Sequence, residues 1–407
     1  MDKMITIDEA FGRYQQALGP LAEETVSVAE AQGRVLSRDV TSSIDLPPFP
    51  QSAMDGYAVR AGDTAEASSE RPARLSLVGE VPASGLAEVP SIQPGEAVRI
   101  FTGGYVPEGA DAVLRQEDAR VEGEKLLVDE PVEAGQDCRR QGEELRTGDA
   151  LVGAGTRLSF AHVAALANSG LAEVAVRRAP RVSAFTTGDE VIESGRALRP
   201  GQVYDANTPL LRGWLRSQGL ATVMATGLPD TLGGTETALR EALERSDLVI
   251  TTGGVSVGDY DFVITAAERI GMEPVFWKVQ QKPGKPLFFA VKDDQALLGL
   301  PGNPGSAFAC LMTHVRRVLD LLQGASAPRP RFGMAKLAEP VSLGKREWWA
   351  RCRVTSSVKG DAWLELLPQQ ASHMVANLGE TEALARIPTG ERVLERGHPV
   401  PWTELSG

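Results

Sequence analysis

Apolar positions in the opening run MDKMITIDEAFGRYQQAL recur at helical spacing with acids between them, which predicts an amphipathic first helix. Strand-like TVSV and RVLSRDVTSS follow, and the prolines of LPPFPQ at 46–51 mark a connection. From 55 to 145 short alternating stretches such as RLSLVGEV and AVRIF, set between Gly and Pro, predict a compact β domain. SFAHVAALANSG at 159–170 reads as a helix, with Ser159 as its cap and Gly170 at the left-handed closing position. This helix breaks the β pattern, so 146–178 is expected to rejoin the first segment.

The texture changes at Arg181. RVSAFTTGDEVI reads as a strand and a Gly turn, and NTPLLRGWLRSQG as a helix capped by Asn207 or Thr208 and stopped by Gly219. ATVMAT, DLVITT, PVFWKV, PLFFAV and ALLGL read as strands. TETALREALERS, DFVITAAERIG and SAFACLMTHVRRVLDLL read as helices. That alternation predicts a parallel α/β sheet over 179–325. The stretch 324–332 has a linker composition, and the remainder to Gly407 reads as a small β domain.

Length supports this division, since 407 residues exceed a single core and call for two to four domains. The net charge of -12 disfavours a nucleic-acid or anionic-membrane partner, because phosphate surfaces demand a basic face. No apolar run reaches the ~18 residues of a membrane span, and the N-terminus lacks a signal-peptide core. Cys138, Cys310 and Cys352 lie far apart with no CxxC pair, and His162, His314, His373 and His398 have no i, i+4 partner of ligand type. Disulfide scaffolding and zinc are therefore poor readings, and a reducing cytoplasm is the expected home.

Three stretches and a scattered set of acids carry candidate chemistry. TTGGVSVGDYDF at 251–262 joins a buried strand to a helix, and its glycines permit positive φ and close approach of backbone amides to a ligand. Anion binding and a merely tight βα turn both remain open from this stretch alone. GLPGNPGSAFA at 299–309 makes a second Gly-rich strand-to-helix turn, and two such turns in one sheet open at the edge where doubly wound sheets bind ligands. Between them Lys278, Lys282 and Lys285 form a local basic excess that suits a phosphate or oxyanion. Asp189, Glu190, Asp205, Asp230, Asp259 and Asp261 lie near these turns; oxygen-only ligands suit Mg²⁺ over zinc, and while any single acid reads as a cap or solvated turn residue before a ligand, the set at one sheet edge carries the metal reading.

A rival reading starts from Gly254-Val255-Ser256-Val257-Gly258, which matches the G-x-S-x-G elbow of serine hydrolases. Against it, a polar GDYD run stands where the helix should begin, no HGG-type oxyanion motif occurs, and His314 falls mid-helix.

SAMDGYAV at 52–59, RIFTGGYVPEGADAV at 99–113, RRQGEEL at 139–145, TTGDE at 186–190, YDAN at 204–207, TTGGVSVGDYDF at 251–262, FWKVQQKPGKP at 276–286 and LPGNPGSA at 300–307 together resemble the molybdopterin molybdenumtransferase family. That family is known as MoeA in bacteria and as the E domain of gephyrin in animals. Its α/β domain is shared with pterin adenylyltransferases and with a class of nucleotide-processing proteins; the MDGYA and TGG-x-VPEG runs lie outside that domain.

The resemblance implies a multidomain α/β plus β fold: a discontinuous elongated α+β domain from 1–47 and 141–178, a β-rich domain 48–140, a doubly wound molybdopterin-binding α/β domain 179–325, and a small C-terminal β-barrel 326–407. It implies a homodimer with each site between subunits, and names a pterin adenylyltransferase and molybdoenzyme-maturation proteins as candidate partners. The implied reaction takes adenylylated molybdopterin and molybdate to molybdenum cofactor and AMP, with Mg²⁺. Carried over by position, Asp55, Thr102, Glu190, Asp230, Asp261, Lys278, Lys282, Arg351 and Ser372 line the site. The Gly253-Gly254-Val255-Ser256 turn and Asn303, with Ser306, hold pterin and phosphates, and Glu190 and Asp261 hold the metal. Two departures stand out: Gly142-Glu143-Glu144 where the family often shows Gly-Glu-Asp, and Gly305 where it often has an alkyl residue. The alternatives are an enzyme of the shared α/β type acting on another nucleotide, which MDGYA opposes, and a non-catalytic scaffold, which the retained acids and lysines oppose.

Overall fold

The computed structural model describes residues 4–83, 90–256, 261–356 and 360–405. Asp259 and the GDYD run at 258–261, apart from Asp261, lie outside them.

The central unit is a six-stranded sheet in the order Thr222–Gly227, Val182–Thr186, Leu248–Thr252, Gln295–Leu300, Phe288–Lys292, Glu273–Trp277. The first four strands are parallel, but the last three are joined by antiparallel pairings. The sheet is thus mixed, not parallel as the alternation predicts. The reason is a connection of two residues, Asp293 and Asp294, between Phe288–Lys292 and Gln295–Leu300: a crossover to a parallel strand needs a dozen or more. Asp293 takes the positive φ of 50° that such a turn requires. Helices cover both faces, giving two separate apolar cores.

The first helix, Ile7–Ala17, starts with a reciprocal cap: Glu9 N–H donates to Thr6 Oγ1 at 3.1 Å and Thr6 N–H to Glu9 Oε2 at 2.7 Å. Its buried face of Ile7, Ala10, Phe11 and Tyr14 packs with Phe276, Phe289 and Leu298. This helix therefore belongs to the α/β core, not to the discontinuous domain in which 1–47 was expected. An amphipathic stripe declares that a face is buried, not against what.

The discontinuous unit pairs Glu23–Ser27 with Glu173–Arg177 and Val40–Thr41 with Ala150–Val152 around Leu36, Leu158, Leu166 and Val176. In helix Phe160–Asn168 His162 plays the part that Glu usually takes in a capping box, Ser159 N–H reaching His162 Nδ1 at 3.0 Å. Gly170 has φ +78°, the closing conformation expected of it. The β-rich unit is a six-stranded sheet with an apolar cluster on each face.

Two further expectations change. Helix Asn207–Ser217 is capped by neither Asn207 nor Thr208; Asp205 Oδ1 accepts from Thr208 N–H at 2.9 Å. The long helix after Asn303 is not uniform. It runs as Pro304–Cys310, widens to a π turn over Leu311–Val315, and resumes as Arg316–Leu322. In the wide turn Thr313 Oγ1 donates back to the Ala309 carbonyl at 2.7 Å, a competing bond of the kind that disturbs helices.

The C-terminal unit closes into a barrel because strand Glu347–Ser356 pairs with Ala362–Leu366 and also with Ala383–Ile387. A two-residue strand from the α/β unit, Gln281–Lys282, adds to this sheet in parallel with Glu347 and Trp348. The linker is pinned as well: Asp320, 1% exposed, takes ion pairs from Arg157 and Arg329, both at 2.8 Å.

Candidate functional site

Three strand ends knit together at the carboxyl edge of the α/β sheet. Thr187 N–H donates to the Thr252 carbonyl at 3.0 Å and Gly253 N–H to the Leu300 carbonyl at 2.9 Å. Gly253 (φ +90°) and Gly254 (φ +71°) are required on two counts. Both have left-handed backbone, and a Cβ would lie 2.2 Å from Thr187 Oγ1 at Gly253 and 2.6 Å from Val263 Cγ2 at Gly254. The second turn adjoins the first, since a Cβ on Gly302 would stand 3.5 Å from Gly253 Cα. Asn207 Nδ2 donates to the Gly302 carbonyl at 2.7 Å, while its Oδ1 is buried without a partner. Thr187 and Asn207 contribute here without a signal in the sequence, which suggests no more than a cap for Asn207.

The acids arrange themselves around these turns. Asp230 Oδ2 accepts from Asp189 N–H at 2.9 Å and so fixes the TTGDE loop. Glu190 is exposed and its carboxylate folds back over Gly188. Asp261 is half-buried just before helix Val263–Arg269, whose cap position is Phe262. Among the described residues no three His, Cys, Asp or Glu side chains gather closely enough to hold a metal ion on their own.

Lys278 is tied to the first turn through its neighbour. Trp277 Nε1 donates to the Val255 carbonyl at 2.9 Å, and Lys278 Nζ lies 3.5 Å above the Trp277 ring. Lys278 has φ +72°, a conformation costing a non-glycine residue roughly 1–3 kcal/mol and found mostly where a site demands it. Lys282 is exposed, with Nζ 4.9 Å from the centre of the Trp348 ring.

The second turn meets the barrel. Asn303 Nδ2 donates to Ser372 Oγ at 3.0 Å and Gly305 N–H to the Ser372 carbonyl at 2.8 Å. Arg351, 2% exposed, reaches the Gln369 carbonyl through Nη2 and leaves Nε without a partner. Among the described residues no carboxylate pairs with it, and burial lowers its pKa from the usual arginine range. Gly305 makes this arrangement possible, because a Cβ there would lie 2.8 Å from Arg351 Nη1 and 2.8 Å from the Ser372 carbonyl oxygen. Ser306 is buried one residue on, while Ser256 is exposed and Val255 buried.

Asp55 and Thr102 stand apart from this cluster, in the β-rich unit. Asp55 Oδ1 accepts from both Thr102 N–H and Thr102 Oγ1 at 2.8 Å, and the backbone N–H above all holds the carboxyl below its usual pKa. With Arg115, Gln116, Glu117 and Asp118 they line a cavity of about 380 Å³. Among the described residues no hydrogen bond or ion pair joins them to the sheet edge. A roomier cavity of about 1070 Å³, lined by Arg157, Arg216, Arg316 and Arg329, contains none of the predicted site residues. His314 gives the hydrolase reading no base: it is wholly buried, bonded to Tyr14 and Gln281, and burial pushes its pKa down to about 3.

Comparison with known proteins agrees with the architecture. Residues 5–170 match the MoeA N-terminal region (domain I and II), 183–321 a probable molybdopterin binding domain, and 334–405 the MoeA C-terminal region (domain IV). A molybdopterin molybdenumtransferase of Nostoc is 35% identical over 94% of this chain and 88% of that protein. One of Haemophilus influenzae is 37% identical over 79% of this chain and 78% of its own. The crystal structure of a molybdopterin biosynthesis moeA protein from Pyrococcus horikoshii OT3 superposes with a TM-score of 0.82 at 28% identity, covering 99% of this chain and 100% of that one. With strand ends, lysines and a desolvated arginine gathered on this framework, the chain belongs to the molybdopterin molybdenumtransferase (MoeA) family.

Proposed function

We propose that the protein is a transferase that inserts molybdenum into a pterin: adenylylated molybdopterin and molybdate give molybdenum cofactor and AMP. The carrying observation is the meeting of two Gly turns with Lys278 and with Arg351, whose desolvated guanidinium lacks a carboxylate partner. A buried cation without a partner is costly, and an oxyanion of substrate supplies what is missing. Gly253 shapes the turn, Gly254, Val255 and Ser256 offer backbone amides to phosphate, Asn303 and Ser306 border the pterin, and Lys278 and Lys282 balance anionic charge.

Glu190 and Asp261 would hold Mg²⁺: both offer oxygen without thiol or imidazole, and this cation takes one or two carboxylates and completes its shell with phosphate and water. When bound it offsets phosphate charge as AMP departs. Asp230 orients the loop that carries Glu190.

Asp55 and Thr102 enter this reading from a second copy. Their separation from the sheet edge within one chain supports a homodimer in which the β-rich unit of one protomer faces the α/β unit of the other. A reducing cytoplasm suits the three free cysteines.

The test is direct. Purified protein supplied with adenylyl-molybdopterin releases AMP only when molybdate is added. AMP release that ignores molybdate favours a nucleotide hydrolase of the shared α/β type, and none with both substrates favours a scaffold.

A further inference from the structure

A buried glutamine sits at the root of the lysine-bearing loop. Gln281 is wholly buried while Lys282 beside it is exposed, the alternation of a strand. Trp349 Nε1 donates to Gln281 Oε1 at 3.0 Å, His314 Nε2 lies 2.9 Å from the same oxygen, and Tyr14 Oη lies 3.1 Å from His314 Nδ1. Gln281 Nε2 donates to the Gly284 carbonyl at 3.0 Å and approaches Cys310 Sγ at 3.5 Å. The donor inventory fixes every proton here. Indole N–H can only donate, so Oε1 faces Trp349 and the amide NH₂ faces Gly284. His314 is then the Nε2–H tautomer, and the Tyr14 hydroxyl donates to Nδ1.

This chain of bonds joins three bodies: the first helix through Tyr14, the π turn through His314 and the barrel through Trp349. The loop closes around it. Gly284 (φ +98°) has no room for a side chain, because a Cβ would meet Cys310 Sγ at 2.6 Å and Gln281 Nε2 at 2.7 Å. Main-chain bonds from Gln280 N–H to Ile5 O at 2.7 Å and from Glu347 N–H to Gln280 O at 3.2 Å hold the loop's root. Among the described residues, Gln281 is the one whose side chain hydrogen-bonds the tip, through Gly284.

We propose that Gln281 is a positioning residue for the reaction, whose amide, oriented by His314 and Trp349, holds the 281–285 turn so that Lys282 is presented to the anionic substrate. The lysine makes the contact, and the glutamine acts through it. This rests on the proposed molybdenum transfer for its kinetic arm only.

Gln281→Glu separates positioning from mere packing. The carboxylate keeps the size of the amide and accepts from Trp349 and His314, yet its second oxygen opposes the Gly284 carbonyl unless protonated. Burial raises the pKa of such a carboxyl. The groups that face it are His314 from the π turn, Tyr14 from the first helix and Cys310 from the helix preceding the π turn. Arg317 and Arg386 act on His314 from farther off, and Arg346 donates to the Gln281 carbonyl. Gln281→Leu offers no such rescue.

The experiment measures hydrogen exchange of segment 279–287, corrected for intrinsic rates, together with KM and kcat for adenylyl-molybdopterin, at pH 8 and pH 6. At pH 8 both variants should exchange this segment at least tenfold faster and raise KM about tenfold, with kcat within threefold of wild type. At pH 6 Gln281→Glu should regain wild-type exchange and KM, and Gln281→Leu should not. Wild-type KM in both variants at pH 8, or losses that track melting temperature alike at both pH values, would overturn the assignment. If wild-type protein releases no AMP, the proposed activity fails, and the exchange measurements alone decide the role of Gln281.

Discussion

Gly305 packs directly beneath Arg351: a β-carbon on this glycine would lie 2.8 Å from the guanidinium Nη1. The contact replaces a side chain by an arginine head at the point where the second Gly turn meets the barrel.

Gly305→Ala is expected to move Arg351 and the Ser372 loop. Overpacking costs about 1–3 kcal/mol, and better helix propensity returns at most about 1 kcal/mol. Thermal stability should fall slightly, while KM for molybdate rises about tenfold. Unchanged KM, measured as molybdate-dependent AMP release, would show that the loop yields without moving the guanidinium.

Lys282→Ala should weaken adenylyl-molybdopterin binding about tenfold or more and leave stability nearly unchanged. A desolvated contact to a charged group is worth about 1.5–3 kcal/mol, whereas the exposed ammonium over Trp348 contributes roughly 0.5–1 kcal/mol. Equal affinity by titration calorimetry would return Lys282 to the role of a solvated surface charge.

Asp261→Asn tests the metal assignment. The cap position of the following helix is Phe262, and asparagine keeps the size of aspartate, so stability should nearly hold in either case. Loss of a metal ligand should slow AMP release about 10²-fold or more, with partial recovery as Mg²⁺ is raised. Normal turnover in limiting Mg²⁺ removes Asp261 from the metal site.

His314 should make stability depend on pH. Its folded pKa is about 3 against an ordinary 6.5, with burial as the main cause. Below 6.5 the unfolded chain takes up a proton that the folded one refuses, so this contribution is complete above 6.5 and is lost on acidification towards 3. The limiting slope is about 1.4 kcal/mol per pH unit. Chemical denaturation across pH 4–7 should show this slope in wild type and a flatter one in His314→Gln. Parallel curves would place the titrating group elsewhere.

A homodimer is expected from the isolation of Asp55 and Thr102, so light scattering at micromolar protein should give about twice 43.4 kDa. A stable species of monomer mass would leave those two residues without a role in the α/β site.

Much of this was legible in the sequence, for reasons tied to particular residues. Gly253 and Gly254 announce their turn because no other residue fits the φ and the space. Strand–helix alternation announces the doubly wound core. The antiparallel hairpin was not legible, because PLFFAV and ALLGL read as buried strands in either direction; only the two-residue connection decides. The first helix showed a buried face but not its partner. Gln281 was hidden most thoroughly. A glutamine among lysines reads as solvated, and it is buried because its strand joins a barrel whose other strands lie more than fifty residues further along the chain.

That borrowed strand has a mechanical meaning. Lys278 directly follows a strand of the α/β sheet, while Lys282 is registered on Trp348 of the barrel. The two ammonium groups thus ride on different bodies linked by a short tether. Any rocking of the barrel against the sheet alters their spacing, so the electrostatic grip on an anion becomes a function of interdomain angle, tightened or slackened without the substitution of a single residue.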